Sequence, residues 1–186
     1  MRTSWVIAGS MLSIARPGPA AAPVGVTLAQ SPVPATADGQ AVAVARMVRG
    51  ILSYSRWPDP VQAIRLCVAG APLYGARLDE AASAAGRTIR IRPLAPGEGP
   101  AAAGCDGLYL GHMAATSRAQ LVAASRGRPT VTIDEDDPAC RAGAMFCLSV
   151  EPAHLSFQLN LDAVSRGMVR IDPKVLLLSR GREEQP

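Results

Sequence analysis

The sequence predicts an α/β fold: a mostly parallel sheet flanked by helices, with a C-terminal antiparallel hairpin. Three observations lead there. Short apolar runs alternate with helical stretches across residues 63–133, the pattern of strand–helix–strand units. Two later runs, AMFCLSV (144–150) and AHLSFQL (153–159), are joined only by Glu151-Pro152. That link is too short for a helical crossover, so the two strands must run antiparallel. Of the 186 residues, 48% are apolar and 18% charged, which suits one globular domain with a real core. Aromatics make up only 4%, so Ala, Val, Leu and Ile must fill that core.

The elements follow in order. Asp38 can cap a helix starting near Gln40, whose apolar face carries Val44, Met47, Val48, Ile51, Leu52 and Ser55. Pro58 stops it, because the residue before a proline disfavours the α region. AIRLCVAG (63–70) is a short apolar strand. APLYGARLDEAASAAG (71–86) reads as a helix with Gly86 as its C-cap. TIRIRP (88–93) alternates like a strand at or near a sheet edge, and LAPGEGPAAAG (94–104) is a loop. DGLYLG (106–111) is a buried strand, ATSRAQLVAASRG (115–127) a helix ended by glycine, and PTVTI (129–133) a further strand. After the hairpin, NLDAVSRG (160–167) is a short helix capped by Asn160. MVRI leads to a last helix, PKVLLLSR, with Pro173 in its first turn.

The front of the chain reads as an export signal. Arg2 precedes the apolar stretch Trp5–Ile14, which Arg16 and Pro17 then interrupt. A start at Met11 would instead make Arg16 the basic residue and Ala20–Ala29 the apolar region. Thr27-Leu28-Ala29 and Ala35-Thr36-Ala37 both offer small residues for a signal peptidase. The chain thus divides into 1–37, a signal peptide and disordered segment; 38–180, the α/β domain; and 181–186, a disordered polar tail. The chain is therefore expected to be exported. Net charge is +4, and it falls to about +2 once Arg2 and Arg16 are removed. Arginines are scattered, without a basic run or stacking aromatics, which argues against a nucleic-acid platform.

Catalytic motifs are missing. The turn GAPLYGA (70–76) lacks G-x-G-x-x-G spacing and the Lys and Ser/Thr of a phosphate loop, so it reads as a plain strand-to-helix turn. His112 and His154 sit in separate segments with no Ser or Cys motif beside them, which favours structural or surface roles. DEDD (134–137) lacks the spacing and closing Glu of a calcium loop and reads as a solvated turn before Pro138. No cofactor or metal is called for, and the expectation is that the chain is not an enzyme.

The cysteines carry the remaining signal. Cys67, Cys105, Cys140 and Cys147 offer neither C-x-x-C nor a spaced His pair, so zinc and dithiol redox motifs are absent. Four cysteines in an exported chain suggest two disulfides. Of three pairings, Cys67–Cys105 with Cys140–Cys147 is favoured: the first pair lies in or beside sheet strands, the second flanks a glycine-containing turn. Chain-entropy arithmetic assigns about 4 kcal/mol to the long link and about 2.5 to the short one.

ILSYSRWP (51–58), RLCVAG (65–70), CDGLYLG (105–111), the Cys140–Cys147 segment and SFQLNLDAVSRGMVRIDPKVLLLSR (156–180) occur in an order that resembles the YfiR/HmsC family, across about residues 40–180. The resemblance implies a periplasmic α/β protein that tends to dimerise and is not an enzyme. It implies a repressor that binds the periplasmic sensory domain of an inner-membrane diguanylate cyclase, lowering cyclic di-GMP, exopolysaccharide and biofilm. An outer-membrane-linked lipoprotein can sequester such a repressor. The resemblance ties the disulfide matching Cys140–Cys147 to redox sensitivity. It also places a partner-binding apolar patch at Leu161, Ile171, Pro173 and Leu176. Two readings from other classes stand beside it. One is a periplasmic small-ligand receptor using the crevice near Gly70, Gly111 and His112. The other is a thiol oxidoreductase using Cys140 and Cys147, for which the sequence offers no adjacent base.

Overall fold

The computed structural model describes residues 25–27, 31–80, 83–100 and 104–179. The basic start of the expected signal and the tail 181–186 lie outside them.

A nine-stranded sheet forms the centre. Its middle is parallel: β6 (Arg87–Pro93), β4 (Ala63–Ala69), β7 (Gly107–Leu110), β8 (Val131–Asp134) and β9 (Phe146–Glu151) lie side by side in that order. β10 (His154–Asn160) folds back antiparallel on β9, with Leu155 opposite Val150 and Phe157 opposite Leu148. The α/β class, the mostly parallel sheet and the C-terminal hairpin therefore stand as the sequence reading had them.

β1 (Gly25–Thr27) and β2 (Ser31–Pro32) both run antiparallel to β10. This part of the stretch read as disordered is thus hydrogen-bonded sheet. The unpaired edge of a seven-residue strand offers backbone donors and acceptors that any adjacent extended segment can satisfy.

α1 spans Ala37–Ser53 and presents Val44, Met47, Val48, Ile51 and Leu52, all buried, to one sheet face. The spacing is the one the sequence shows; the cap is not. Thr36 is the N-cap, its side-chain oxygen accepting from Gly39 N at 3.1 Å, while Asp38 lies in the first turn and pairs with Arg77 at 2.7 Å. The helix ends before Pro58 is reached. Ser55 leaves it and joins Arg56 in β3 (Ser55–Arg56), which pairs with β11 (Arg170–Ile171). Arg87 donates to Leu52 O and Ser55 O at this end and lies 4.9 Å over the Trp57 ring. A cation there satisfies the last carbonyls of the helix.

The helix expected over 71–86 does not form. Gly75–Glu80 is a short 3₁₀ turn that buries Leu78 and packs on α1. β5 (Ser83–Ala84) then pairs antiparallel with β6 through a two-residue turn at Ala85 (φ 50°) and Gly86 (φ 78°). Two successive positive φ values make a primed hairpin turn, so Gly86 ends a strand and not a helix. Its result is that β6 is one strand in from the edge.

α2 (Ala115–Ser125) covers the other face and is followed by Gly127 at φ 66°. α3 (Leu161–Arg166) is capped as expected, Asn160 Oδ1 accepting from Ala163 N at 3.0 Å. The last helix is again 3₁₀, Pro173–Ser179. It lies against α1, where a Cβ on Gly50 would stand 2.6 Å from Leu178 Cδ2. Only a glycine lets the two come this close without moving the leucine.

The sheet separates two cores. On the α1 side lie Ile64, Leu66, Tyr109, Ile133, Phe146 and Phe157 with the α1 face. On the α2 side the buried cluster is smaller and holds all four cysteines with Ala69, Leu108, Leu110, Val122 and Ala144.

Candidate functional site

Both disulfides form with the favoured pairing. Cys67, in the middle of β4, bonds Cys105, just before β7, with Cα atoms 5.7 Å apart. β4 and β7 are parallel neighbours, so this bond fixes two adjacent strands of the sheet. Cys140 bonds Cys147 with Cα atoms 5.6 Å apart, both residues buried. Cys147 lies in β9, opposite Asp134 of β8.

The ring sits in the connection between parallel strands β8 and β9. Those strands overlap only through Ile133↔Phe146 and Asp134↔Cys147. A parallel link normally needs a crossover, usually a helix. Here the acidic run and the ring take that place. Cys140 N donates to Asp137 O at 2.8 Å, Gly143 N to Cys140 O at 3.0 Å, and Ala142 N to Asp137 Oδ2 at 2.7 Å. Cys140 itself has φ 53°, a left-handed conformation that costs a non-glycine residue about 1–2 kcal/mol. The closed ring holds it there.

DEDD is not a solvated turn. Asp134, Glu135 and Asp137 are buried, and Asp136 is half-buried. The reason is that each carboxylate finds its partners inside. Arg118 of α2 lies 3.2 Å from Asp134 Oδ2 and 2.5 Å from Asp136 Oδ2, and Asp134 Oδ1 accepts from Asp136 N. Glu135 accepts from Tyr109 OH at 2.5 Å and from the backbone N–H groups of Leu73 and Tyr74 at 2.5 and 3.2 Å. Burial pushes the Asp134 carboxyl up to about 6 and raises Glu135 as well. For Asp136, partial burial opposes ionisation. The hydrogen bonds from Arg118 and His112 outweigh it and hold that carboxyl below the usual range. Among the described residues, no group of three or more His, Cys, Asp or Glu is placed to hold a metal ion.

The same contacts close the crevice required by the small-ligand alternative. Loop 71–74 folds over the strand ends: Ala71 and His112 exchange backbone hydrogen bonds at 3.0 Å. A Cβ at Gly111 would meet Pro72 N at 2.5 Å, and one at Gly70 (φ 78°) would meet His112 O at 2.7 Å. The loop's free N–H groups, which could have cradled an anion, already hold Glu135. His112 is exposed, with Nδ1 3.0 Å from Asp136 Oδ2; His154 is exposed on β10.

The four expected partner positions divide into two kinds. Leu161, the first residue of α3, is 41% exposed, and Pro173, at the head of the last 3₁₀ turn, is exposed. Ile171 and Leu176 are half-buried and pack against the larger core. Sequence reasoning missed Met168 and Leu177, which are 48% and 50% exposed. Each stands close to a buried valine, Val169 and Val175, so composition alone does not tell the exposed residue from the buried one. Of the four large apolar side chains exposed among the described residues, only Leu73 lies outside 161–177.

No helix among the described residues is long and apolar enough to cross a membrane. A family model described as YfiR/HmsC-like matches residues 41–180. The match takes in both disulfides, the acidic crossover and the 161–177 segment. The chain belongs to that family, one of periplasmic regulatory proteins rather than enzymes.

Proposed function

We propose that this YfiR/HmsC-like protein is a periplasmic repressor of an inner-membrane diguanylate cyclase, binding the cyclase's periplasmic sensory domain. Binding lowers cyclic di-GMP and, with it, exopolysaccharide and biofilm. An N-terminal signal peptide exports the chain, it acts as a homodimer, and an outer-membrane-linked lipoprotein can sequester it. Opening of Cys140–Cys147 relieves repression.

The observation that carries this reading is the exposure of Leu161, Met168 and Leu177 within one segment of a small domain. A large apolar side chain left exposed on a small domain is a candidate contact with another protein, the more so when three occur in one short stretch of chain. Ile171 and Leu176, in the same stretch of chain, are half-buried and pack against the larger core.

The test measures cyclic di-GMP in the native host with the gene deleted, then restored as wild type, Leu161→Glu, Leu177→Glu or Cys140→Ser/Cys147→Ser. Deletion should raise the nucleotide and wild type should lower it again. The two charged variants should fold and fail to lower it; so should the cysteine variant if the ring takes part in control. No rise on deletion sinks the repressor reading. Full activity of both charged variants removes the surface from it.

A further inference from the structure

A cavity of about 480 Å³ opens beside the Cys140–Cys147 ring, on the α2 side of the sheet. Three separate segments wall it: the end of α2, the ring itself, and α3. Its volume is within the range of small-molecule sites.

The lining has one electrostatic sense. Arg126, Arg141 and Arg166 face a single carboxylate, Asp162. Arg166 is paired with Asp162. Arg141 reaches no acid closer than Asp137, at 3.9 Å. Arg126 has no side-chain hydrogen bond or ion pair among the described residues. Two guanidinium groups are therefore left with little or no counter-charge.

Buried hydroxyl and amide groups add donors. Thr132 Oγ1 accepts from Met145 N at 2.8 Å, which leaves its O–H hydrogen without an acceptor among the described residues. Asn160 uses Oδ1 for the α3 cap, which leaves its amide N–H₂ likewise. Both residues are buried, and both line the cavity. Val122, Met145 and Ala163 supply apolar wall.

We propose that this cavity is a binding site for a small organic anion: a carboxylate or phosphate group held by Arg126, Arg141, Thr132 and Asn160, with an apolar body against Val122 and Met145. The groups just named offer N–H and O–H hydrogens and positive charge, which an anion satisfies and a cation does not; the remaining acceptor oxygens on the wall, those of Ser125, Thr130 and Asp162, can take a hydroxyl or water. Arg141 and Gly143 belong to the disulfide ring, so an intact ring is part of the site. The site stands on this cavity alone and does not depend on the repressor reading.

Titration calorimetry on the oxidised protein tests it, with phenyl phosphate, benzoate and inorganic phosphate as probes. Phenyl phosphate or benzoate should bind with a dissociation constant below about 1 mM, and inorganic phosphate about tenfold more weakly. Whichever of the two aromatic probes binds tighter identifies the head group. Arg126→Gln should weaken binding about tenfold, while Arg128→Gln, on the same turn but outside the cavity, should leave it unchanged. Cys140→Ser/Cys147→Ser should weaken it too, with the fold checked by circular dichroism. Absence of binding by both aromatic probes overturns the site. Equal loss from Arg126→Gln and Arg128→Gln overturns it as well, because that result describes general surface charge. So does inorganic phosphate binding as tightly as phenyl phosphate, which would mean an adventitious ion only.

Discussion

The two faces of the sheet are held by different means. On the α1 side, a helix with five large buried aliphatic or Met side chains packs on Ile64, Leu66, Ile133, Phe146 and Phe157. On the α2 side, the buried cluster is mostly Cys and Ala, and α2 contributes one buried apolar residue, Val122. Apolar burial contributes roughly 25 cal/mol per Å². A face lined by small side chains therefore gains less from water than one lined by Leu, Ile and Phe. Both disulfides and the Arg118 ion pairs lie on or beside that poorer face. Covalent and ionic links are found where apolar volume is short.

The comparison breaks first at the long disulfide. Cys67→Ala with Cys105→Ala should cost about 4 kcal/mol, measured by urea unfolding, since the bond closes a loop of 38 residues. A loss under about 1 kcal/mol would mean that the α2 face holds without it. On the opposite face, Leu52→Ala should cost about 3 kcal/mol, by lost transfer energy and an unfilled cavity. That variant should keep both disulfides and lose cooperativity on the α1 side.

The ionic part is read by pH. Burial raises Asp134 from 3.8 to about 6 in the folded protein. The unfolded chain releases this proton first, so the group's contribution is full below about pH 4 and is lost as pH rises through about 6. The span amounts to at most about 3 kcal/mol. Urea midpoints between pH 3.5 and 7 should fall by that course in wild type, and Asp134→Asn should flatten it. A profile unchanged by Asp134→Asn refutes the assignment. The smallest effect belongs to the short ring. Cys140→Ser with Cys147→Ser should cost about 2.5 kcal/mol. Amide exchange should quicken in residues 135–147 while α1 stays protected; equal acceleration in α1 would show that the ring is a global staple.

Much of this was legible in the sequence, and the rest was hidden for identifiable reasons. The 3.6-residue apolar face located α1, short apolar runs located β4, β7 and β8, and the Glu151-Pro152 link located the β9–β10 hairpin, because those segments bury the side chains that make the pattern. α2, with one buried apolar residue, had only its composition and the glycine that follows it. The Asn160 cap and the two cysteine pairs were legible as local chemistry. Residues 71–86 were misread because alanine-rich composition favours helix, whereas Leu78 docking on α1 and the Ala85-Gly86 turn settle the backbone. Tertiary contact overrides propensity there. The burial of DEDD depends on Arg118 and Tyr109, which come from other elements, so no local pattern announces it. The cavity is the same case: its arginines come from α2, the ring and α3, and only the fold assembles them.

Gly50 has a consequence for genetics. Replacing it with alanine improves helix propensity by about 1 kcal/mol but forces Leu178 out of its seat. The net change in stability depends on whether the Leu178 side chain can turn aside for less than that gain. An allele of this kind maps to the first helix but acts on the 173–179 turn, more than a hundred residues further along the chain.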